Sequence, residues 1–287
     1  MSRLRRKNMN QEEFKNFFTP YSQNVDNADR LAFWKLSDAI ITKVTKRHIP
    51  IDASQSEKIF DAGGGTGKWI CSLAKIYATN FILYDLSEDM LKRAKDNIRQ
   101  VGIEKRVEII QGDIADINII PSFSVDYVIS IYNPISFIEK KEKAVSELFR
   151  ILKKGGTIMI MGQGYFNAVA SKMNNYFAKS DELQEIVSNY KVKWNNAVPK
   201  LDVFSQESME NLLADAGFVP IATYGIPCFV QPGAEDFEPT NSHRSCISQA
   251  LENIGFFNAV FDMETRFNSQ RTVVNRGMNI FAVAKKE

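Results

Sequence analysis

Histidine is almost missing from this 287-residue chain, with two residues, and cysteine is scarce, with three. Cys71, Cys228 and Cys246 are odd in number and far apart, which argues against a disulfide framework and against a Cys-x-x-Cys metal site. No metal is expected. Neither sign of charge prevails: 36 basic and 34 acidic residues leave a formal net charge of +2, so nothing draws the chain as a whole to nucleic acid. The dense basic cluster Arg3, Arg5, Arg6 and Lys7 reads as a solvated terminus. That terminus lacks the apolar stretch of a signal peptide, and no run approaches the roughly 18 apolar residues of a membrane span. A cytosolic protein is expected, with no membrane and no nucleic-acid partner; its oligomeric state cannot be read from the sequence.

What is present is a core-forming composition, 44% hydrophobic with 20 Phe, on a chain long enough to bury a sizeable centre. From residue 58, short apolar runs alternate with amphipathic helical patterns, the mark of parallel βαβ units. "KIFDAG", "NFILYD", "RVEIIQGD", "VDYVISIY" and "GGTIMIMG" read as five strands, "VPIATYGIPCFV" as a sixth and "VVNRGMNIFAVAKK" as the last. Between them, Ser87 is placed to cap a helix that Gly102 closes, with Glu88 and Asp89 in its first turn. A further helix buries Val145, Leu148, Phe149 and Leu152, and "QESMENLLADAGF" makes another. The expected fold is α/β: a Rossmann-like, seven-stranded, mostly parallel sheet with helices on both faces, plus helical insertions forming a cap. The division expected is an N-terminal helical cap over 1–57, an α/β core over 58–164, a helical lid over 165–201, core again over 202–231, a second insertion over 232–270 and the last strand over 271–287.

The stretch "IFDAGGGTGKW" at 59–69 comes within one residue of a phosphate-binding P-loop, but Trp69 stands where a Ser or Thr would bring a hydroxyl to Mg²⁺. It fails the dinucleotide fingerprint too, because Lys68 occupies the place of the third glycine. In an open α/β sheet the ligand lies beyond the carboxyl ends of the strands. Strand one ends in Asp61, Gly63, Gly65 and Gly67, strand two in Asp85, strand three in Asp113 and Ile114, strand four in Ile131, Tyr132, Asn133 and Pro134. Asp85 suits a carboxylate accepting from both hydroxyls of a ribose, in a dinucleotide or another nucleoside. Asp113 can accept from an adenine amino group while Ile114 packs on the ring.

Together these residues resemble the class I S-adenosylmethionine-dependent methyltransferases, whose first motif, Asp-x-Gly-x-Gly-x-Gly, is matched in full by Asp61, Gly63, Gly65 and Gly67. The resemblance runs from 58 to about 162 and includes "DLSEDML" after strand two and "ELFRILKKGG" before strand five. It implies S-adenosyl-L-methionine as methyl donor and S-adenosyl-L-homocysteine as product. The glycines would admit the methionyl part, Asp85 would hold the ribose, Asp113 and Ile114 the adenine, and Leu86 would pack on the base; Ile131 belongs to the same donor set. A donor without phosphates needs neither the Mg²⁺ hydroxyl nor the third dinucleotide glycine. Lys68 is then read as the exposed first turn of a helix.

Methyl transfer to an acidic acceptor gains from a base near neutral pH, and only His48 and His243 have an ordinary pKa suited to that. His48 reads as structural and His243 as the candidate, with a plain surface-loop histidine as its alternative. "FFTPYSQNVDNADRLAFW" resembles the lead-in of the methyltransferases of ubiquinone and menaquinone synthesis, which puts Tyr21 over the donor; otherwise it packs the cap with Phe17 and Phe18. "IYNPIS" resembles the Asn-Pro-Pro-aromatic motif of amino methyltransferases but has Ile135 and Ser136 in place of the second Pro and the aromatic; the alternative is that Asn133-Pro134 simply turns the chain after strand four. Tyr165, Phe166, Tyr176, Phe177 and Trp194 line either an acceptor pocket or a small core. A small-molecule acceptor is expected; an RNA or protein methyltransferase, or other chemistry on the sulfonium, are the alternatives.

Overall fold

The computed structural model describes residues 17–20, 22, 31–50, 52, 54–176, 178–196, 198–237 and 244–287. Five strands run parallel in the order β3-β2-β1-β4-β5: β1 Lys58–Ala62, β2 Asn80–Asp85, β3 Val107–Gln111, β4 Val125–Ser130 and β5 Leu152–Gly164. Two more strands complete the far side, β9 (Asn279–Lys285) antiparallel to β5 and β8 (Val219–Ile226) antiparallel to β9. Within β1, Ile59 goes to one face and Phe60 and Ala62 to the other; in β2, Phe81 and Leu83 oppose Ile82 and Tyr84. A period of two with apolar residues on both sides is what a doubly covered parallel sheet requires.

The first face is covered by α1 (Ala32–His48), α2 (Lys68–Leu73) and α3 (Glu88–Val101), the second by α4 (Lys141–Ile151) and α7 (Gln206–Asp215). In α3 the local signals act as expected: Ser87 Oγ accepts from the Met90 N–H at 3.3 Å, and Gly102 takes the left-handed conformation that closes the helix. Helix α8 (Ile254–Phe267), inside the segment 232–270, lies across α1, with Val260 buried in the same core as Phe33, Leu36 and Ile40.

Among the described residues the sheet has nine strands, where seven were expected. The difference is a hairpin: β6 (Lys191–Val192) falls in the segment 165–201 expected to be helical, and β7 (Leu201–Phe204) runs from its last residue into the expected core segment. Helices α5 (Tyr165–Asn174) and α6 (Ser180–Asn189) precede it. The long β5 is the physical cause: β4 stops pairing at Ile160, which leaves the β5 backbone at Gln163 and Gly164 to be satisfied by β7. Val192, Leu201 and Val203 then bury a small core with Ala168 and Ile186. The last strand is also shorter than its expected segment, because Arg271–Val274 forms a helical turn before Asn279. β8 stops at Ile226 because Pro227 cannot donate to a ladder.

Candidate functional site

The turn from β1 into α2 is built on close approaches. Gly63 has φ +74° and donates its N–H to the Tyr84 carbonyl at 2.7 Å; a Cβ there would lie 2.6 Å from Pro134. A Cβ on Gly64 would lie 2.3 Å from Leu83 Cδ1 and 2.5 Å from Asp61 Oδ2. No side chain fits at either place, so the backbone itself faces the strand ends. At Gly65, by contrast, a Cβ would meet nothing nearer than the Met90 sulfur at 4.0 Å among the described residues, which leaves room above the backbone.

Asp85 ties this turn to the start of α3. Its Oδ2 accepts from the Gly65 N–H at 2.9 Å and its Oδ1 from the Ser87 N–H at 2.8 Å. Burial raises its pKa, and those backbone donors offset part of the rise. Asp61 is 1% exposed, its Oδ2 has no hydrogen-bond partner among the described residues, and burial with the neighbouring Asp85 charge pushes its pKa up to about 8. Leu86 is half-buried, and its carbonyl accepts from Gln111 Nε2 at 3.1 Å. Asp113, half-buried, accepts from the Ala115 N–H at 2.8 Å. Ile114 reaches to 3.4 Å from the place a Gly63 Cβ would take, so Ile114, Pro134 and the glycine turn converge. Ile131 is 5% exposed and packs in the core of the first face.

Past β4 the backbone does something that needs explaining. Tyr132 and Asn133 are consecutive non-glycine residues with φ +61° and +70°, a conformation that costs free energy and tends to be kept where a side chain must be aimed. The Tyr132 hydroxyl donates to Asp38 Oδ1 on α1, and Lys68 Nζ lies 2.7 Å from Asp38 Oδ2 and 5.2 Å above the Tyr132 ring. Lys68 is therefore an ion-paired member of the site and not a solvated first turn. Trp34 packs edge-on to Tyr132 with centroids 5.9 Å apart, and its Nε1 donates to the Asp236 carbonyl at 3.0 Å. Sequence reading missed Asp38, Lys68 and Trp34 as site residues. Nothing in their local pattern distinguishes them from an ordinary amphipathic helix.

The amide of Asn133 turns inward: Nδ2 donates to Asn279 Oδ1 at 2.8 Å, and Asn279 Nδ2 donates to the Ile226 carbonyl at 3.1 Å. Ser136 Oγ accepts from the Gln163 N–H at 2.9 Å. These commitments favour the turn reading of "IYNPIS" over the amino-group motif. Tyr165 stacks near Tyr190 and Tyr176 near Trp194, both at 5.3 Å, and Tyr165 and Trp194 pack against the small core behind β7. His48 Nε2 lies 2.9 Å from the Tyr224 hydroxyl, and burial holds its pKa down, helped by Arg47 and Lys285. Tyr21, His243 and Phe177 lie outside the described residues.

One strap crosses this edge. Phe17 stacks on Phe137 beyond β4 and Phe18 meets it edge-on, with centroids at 6.3 and 5.3 Å, while Thr19 Oγ1 donates to Asp89 Oδ2 at 2.8 Å at the start of α3. The described N-terminal residues thus touch both the segment beyond β4 and the start of the helix that follows β2. The Asn167 amide of α5 donates to Gln231 Oε1, joining the first long segment to the residue just before the second.

Residues 59–156 match a family model described as a methyltransferase domain. The chain is 26% identical over 182 residues to the ubiquinone/menaquinone biosynthesis C-methyltransferase UbiE of Vibrio parahaemolyticus, a match covering 61% of this chain and 69% of that one. A protein of Methanococcus maripaludis assigned as an S-adenosyl-L-methionine-dependent methyltransferase superposes with TM-score 0.51 at 25% identity, covering 77% of this chain and 91% of that one. The geranyl diphosphate C-methyltransferase of Streptomyces coelicolor, solved with S-adenosyl-L-homocysteine, shares the fold with TM-score 0.55 at 15% identity, over 87% of this chain and 79% of that one. With the first motif complete and seated at the carboxyl edge of the sheet, residues 59–156 form a methyltransferase domain of the class I S-adenosylmethionine-dependent kind.

Proposed function

We propose that the protein transfers the methyl group of S-adenosylmethionine to a small-molecule acceptor bearing an acidic proton, held between the Tyr132–Asp38 pair and the strap. The observation that carries this reading is the Tyr132 hydroxyl resting on a carboxylate just past the end of β4, in a strained backbone, with its ring beside Lys68 at the start of the helix after the glycine turn. The residues present fit the donor. Open space over Gly65 admits the methionyl part, and the Asp85 oxygens, held by backbone N–H groups that include those of Gly65 and Ser87, keep lone pairs for ribose hydroxyls. Asp113 would take the adenine amino group, with Ile114 and Leu86 on the ring and Ile131 behind it.

When bound, the donor supplies an electrophilic methyl for in-line displacement. The protein's part is alignment, exclusion of water and disposal of a proton. The Tyr132 hydroxyl already gives its hydrogen to Asp38, so its oxygen can accept the acceptor's proton as its own passes to the carboxylate. Lys68 pairs with the other oxygen of that carboxylate at 2.7 Å and helps to hold it in place. Tyr21 over the donor and His243 as an alternative proton acceptor belong to the same proposal, and segments 165–201 and 232–270 are proposed as its lid. In support, the strap brings the neighbours of Tyr21 over the edge, and Trp34 joins Tyr132 to Asp236. A relative that is itself a C-methyltransferase makes an acidic C–H a natural first choice of acceptor.

The test has two arms. Calorimetry with S-adenosylhomocysteine, against NAD and ATP, is expected to show binding of the former alone. Label transfer from methyl-labelled donor is then screened over phenols, quinols, enolisable carbonyl compounds, amines, bulk RNA and protein. Label in RNA or protein alone, or in amines alone, would sink the acceptor assignment.

A further inference from the structure

Resting on the donor reading above, we infer that Asp61 holds a proton while the site is empty and releases it to solvent when the donor's α-ammonium group arrives, so that binding of donor or product is coupled to proton release. Asp61 sits at the end of β1, and its Oδ2 lies under the glycine turn, 2.5 Å from the point a Cβ on Gly64 would occupy. The group is almost completely buried and that oxygen has no hydrogen-bond donor among the described residues. A carboxylate in such a place is costly to ionise, because burial removes its water and nothing replaces it.

Its neighbour sharpens the point. Asp85 is also buried, yet it has N–H donors from Gly65 and Ser87, so of the two carboxyls it is the one better able to carry the charge. Two coupled acids that share one proton keep it on the less solvated member, here Asp61. Among charged and titratable groups on the elements packed around Asp61, Lys68 on α2 and Tyr132 past β4 are both engaged with Asp38 of α1, and Asp85 on β2 is the charge that acts on Asp61. The protein therefore carries a buried acid with an unfilled acceptor beneath the turn proposed to receive the methionyl group.

The balance is simple. Asp61-COOH and an incoming ammonium give Asp61-COO⁻ paired with that ammonium, and one H⁺ goes to solvent. The α-ammonium is common to the donor and to S-adenosylhomocysteine, whereas 5′-methylthioadenosine keeps the nucleoside and thioether but lacks the amino acid. The empty-state pKa of about 8 sets the direction of the pH dependence. Below it the carboxyl must give up its proton on binding, so affinity for S-adenosylhomocysteine rises with pH by up to about tenfold per unit and levels off above it.

The experiment is calorimetry near neutral pH in two buffers of different ionisation heat, with S-adenosylhomocysteine and 5′-methylthioadenosine as probes. Nearly one proton per site is expected on binding the first and none on binding the second. Asp61→Asn should abolish the buffer dependence and weaken S-adenosylhomocysteine by about tenfold or more, while changing methylthioadenosine affinity by no more than about twofold. Equal heats in both buffers with wild-type protein and S-adenosylhomocysteine would overturn the inference. So would the same release with both ligands, or release that persists in a folded Asp61→Asn. Should that variant fail to fold, the comparison of the two ligands on wild-type protein still decides. Binding of neither ligand would overturn the donor reading itself, and this inference with it.

Discussion

The proposed donor and acceptor sides of the ligand edge are built in different ways. On the donor side, turn follows strand within a few residues, and the bonds that shape it run from backbone N–H groups to a backbone carbonyl or to one of two carboxylates: Gly63 to Tyr84, Gly65 and Ser87 to Asp85, Ala115 to Asp113. On the acceptor side, the defining contacts join distant parts of the chain: Tyr132 to Asp38, Trp34 to Asp236, Asn167 to Gln231, Thr19 to Asp89. The first kind of site serves one invariant ligand and tolerates little change. The second is assembled from side chains and can be altered one residue at a time.

The largest expected effect breaks the donor side by sterics. Gly64→Val would drive a branched side chain into Leu83 and Asp61, so donor affinity should fall by more than about a hundredfold, or roughly 3 kcal/mol, as measured by calorimetry with S-adenosylhomocysteine. Unchanged affinity would show that the turn is not the donor cradle. Asp85→Ala is next. It strips two backbone N–H groups of their acceptor and two ribose hydroxyls of theirs, and a loss of about 1 to 3 kcal/mol in affinity is expected with the fold retained by circular dichroism.

Asp38→Asn tests the other side of the comparison. Donor binding should stay within about threefold, while kcat for the acceptor found in the screen should drop by about 10²-fold or more, the usual scale for loss of a proton acceptor. Parallel losses in donor affinity and kcat would mean the two sides are one site and the contrast is false. The smallest effect belongs to Trp34→Phe, which keeps the ring packing but removes the N–H held by Asp236. About 1 kcal/mol of local stability should be lost, seen as faster amide exchange in 233–237 and 244–250 with donor affinity intact. If exchange there is unaltered, Trp34 does not anchor the second long segment.

The sheet was legible because each strand carries its own pattern: Phe81 to Leu83 buried on both faces, a cap at Ser87, a stop at Gly102. So was the glycine turn, since spacing alone excluded two phosphate cradles and resembled a third motif. The β6–β7 hairpin escaped notice because its cause lies elsewhere, in the extra length of β5 beyond β4. Asp38, Lys68 and Trp34 escaped notice for a related reason. A charged or aromatic residue on an amphipathic helix looks alike whether it meets solvent or a partner 94 or 202 positions away.

By itself, then, the sequence determined the strands of the α/β core and their alternation with helices, the glycine turn between Asp61 and Gly67, and the carboxylate at the end of each of β1 and β2. Those follow from residue types acting over a few positions, through backbone sterics and hydrophobic periodicity. The tertiary structure alone decided that Asp61 would lie under the turn without a partner, that Lys68 would pair with Asp38, and that the Tyr132 hydroxyl would rest on that same carboxylate. Charge, burial and proton position depend on what surrounds a group in space, and no local pattern encodes which distant side chain will be brought beside it.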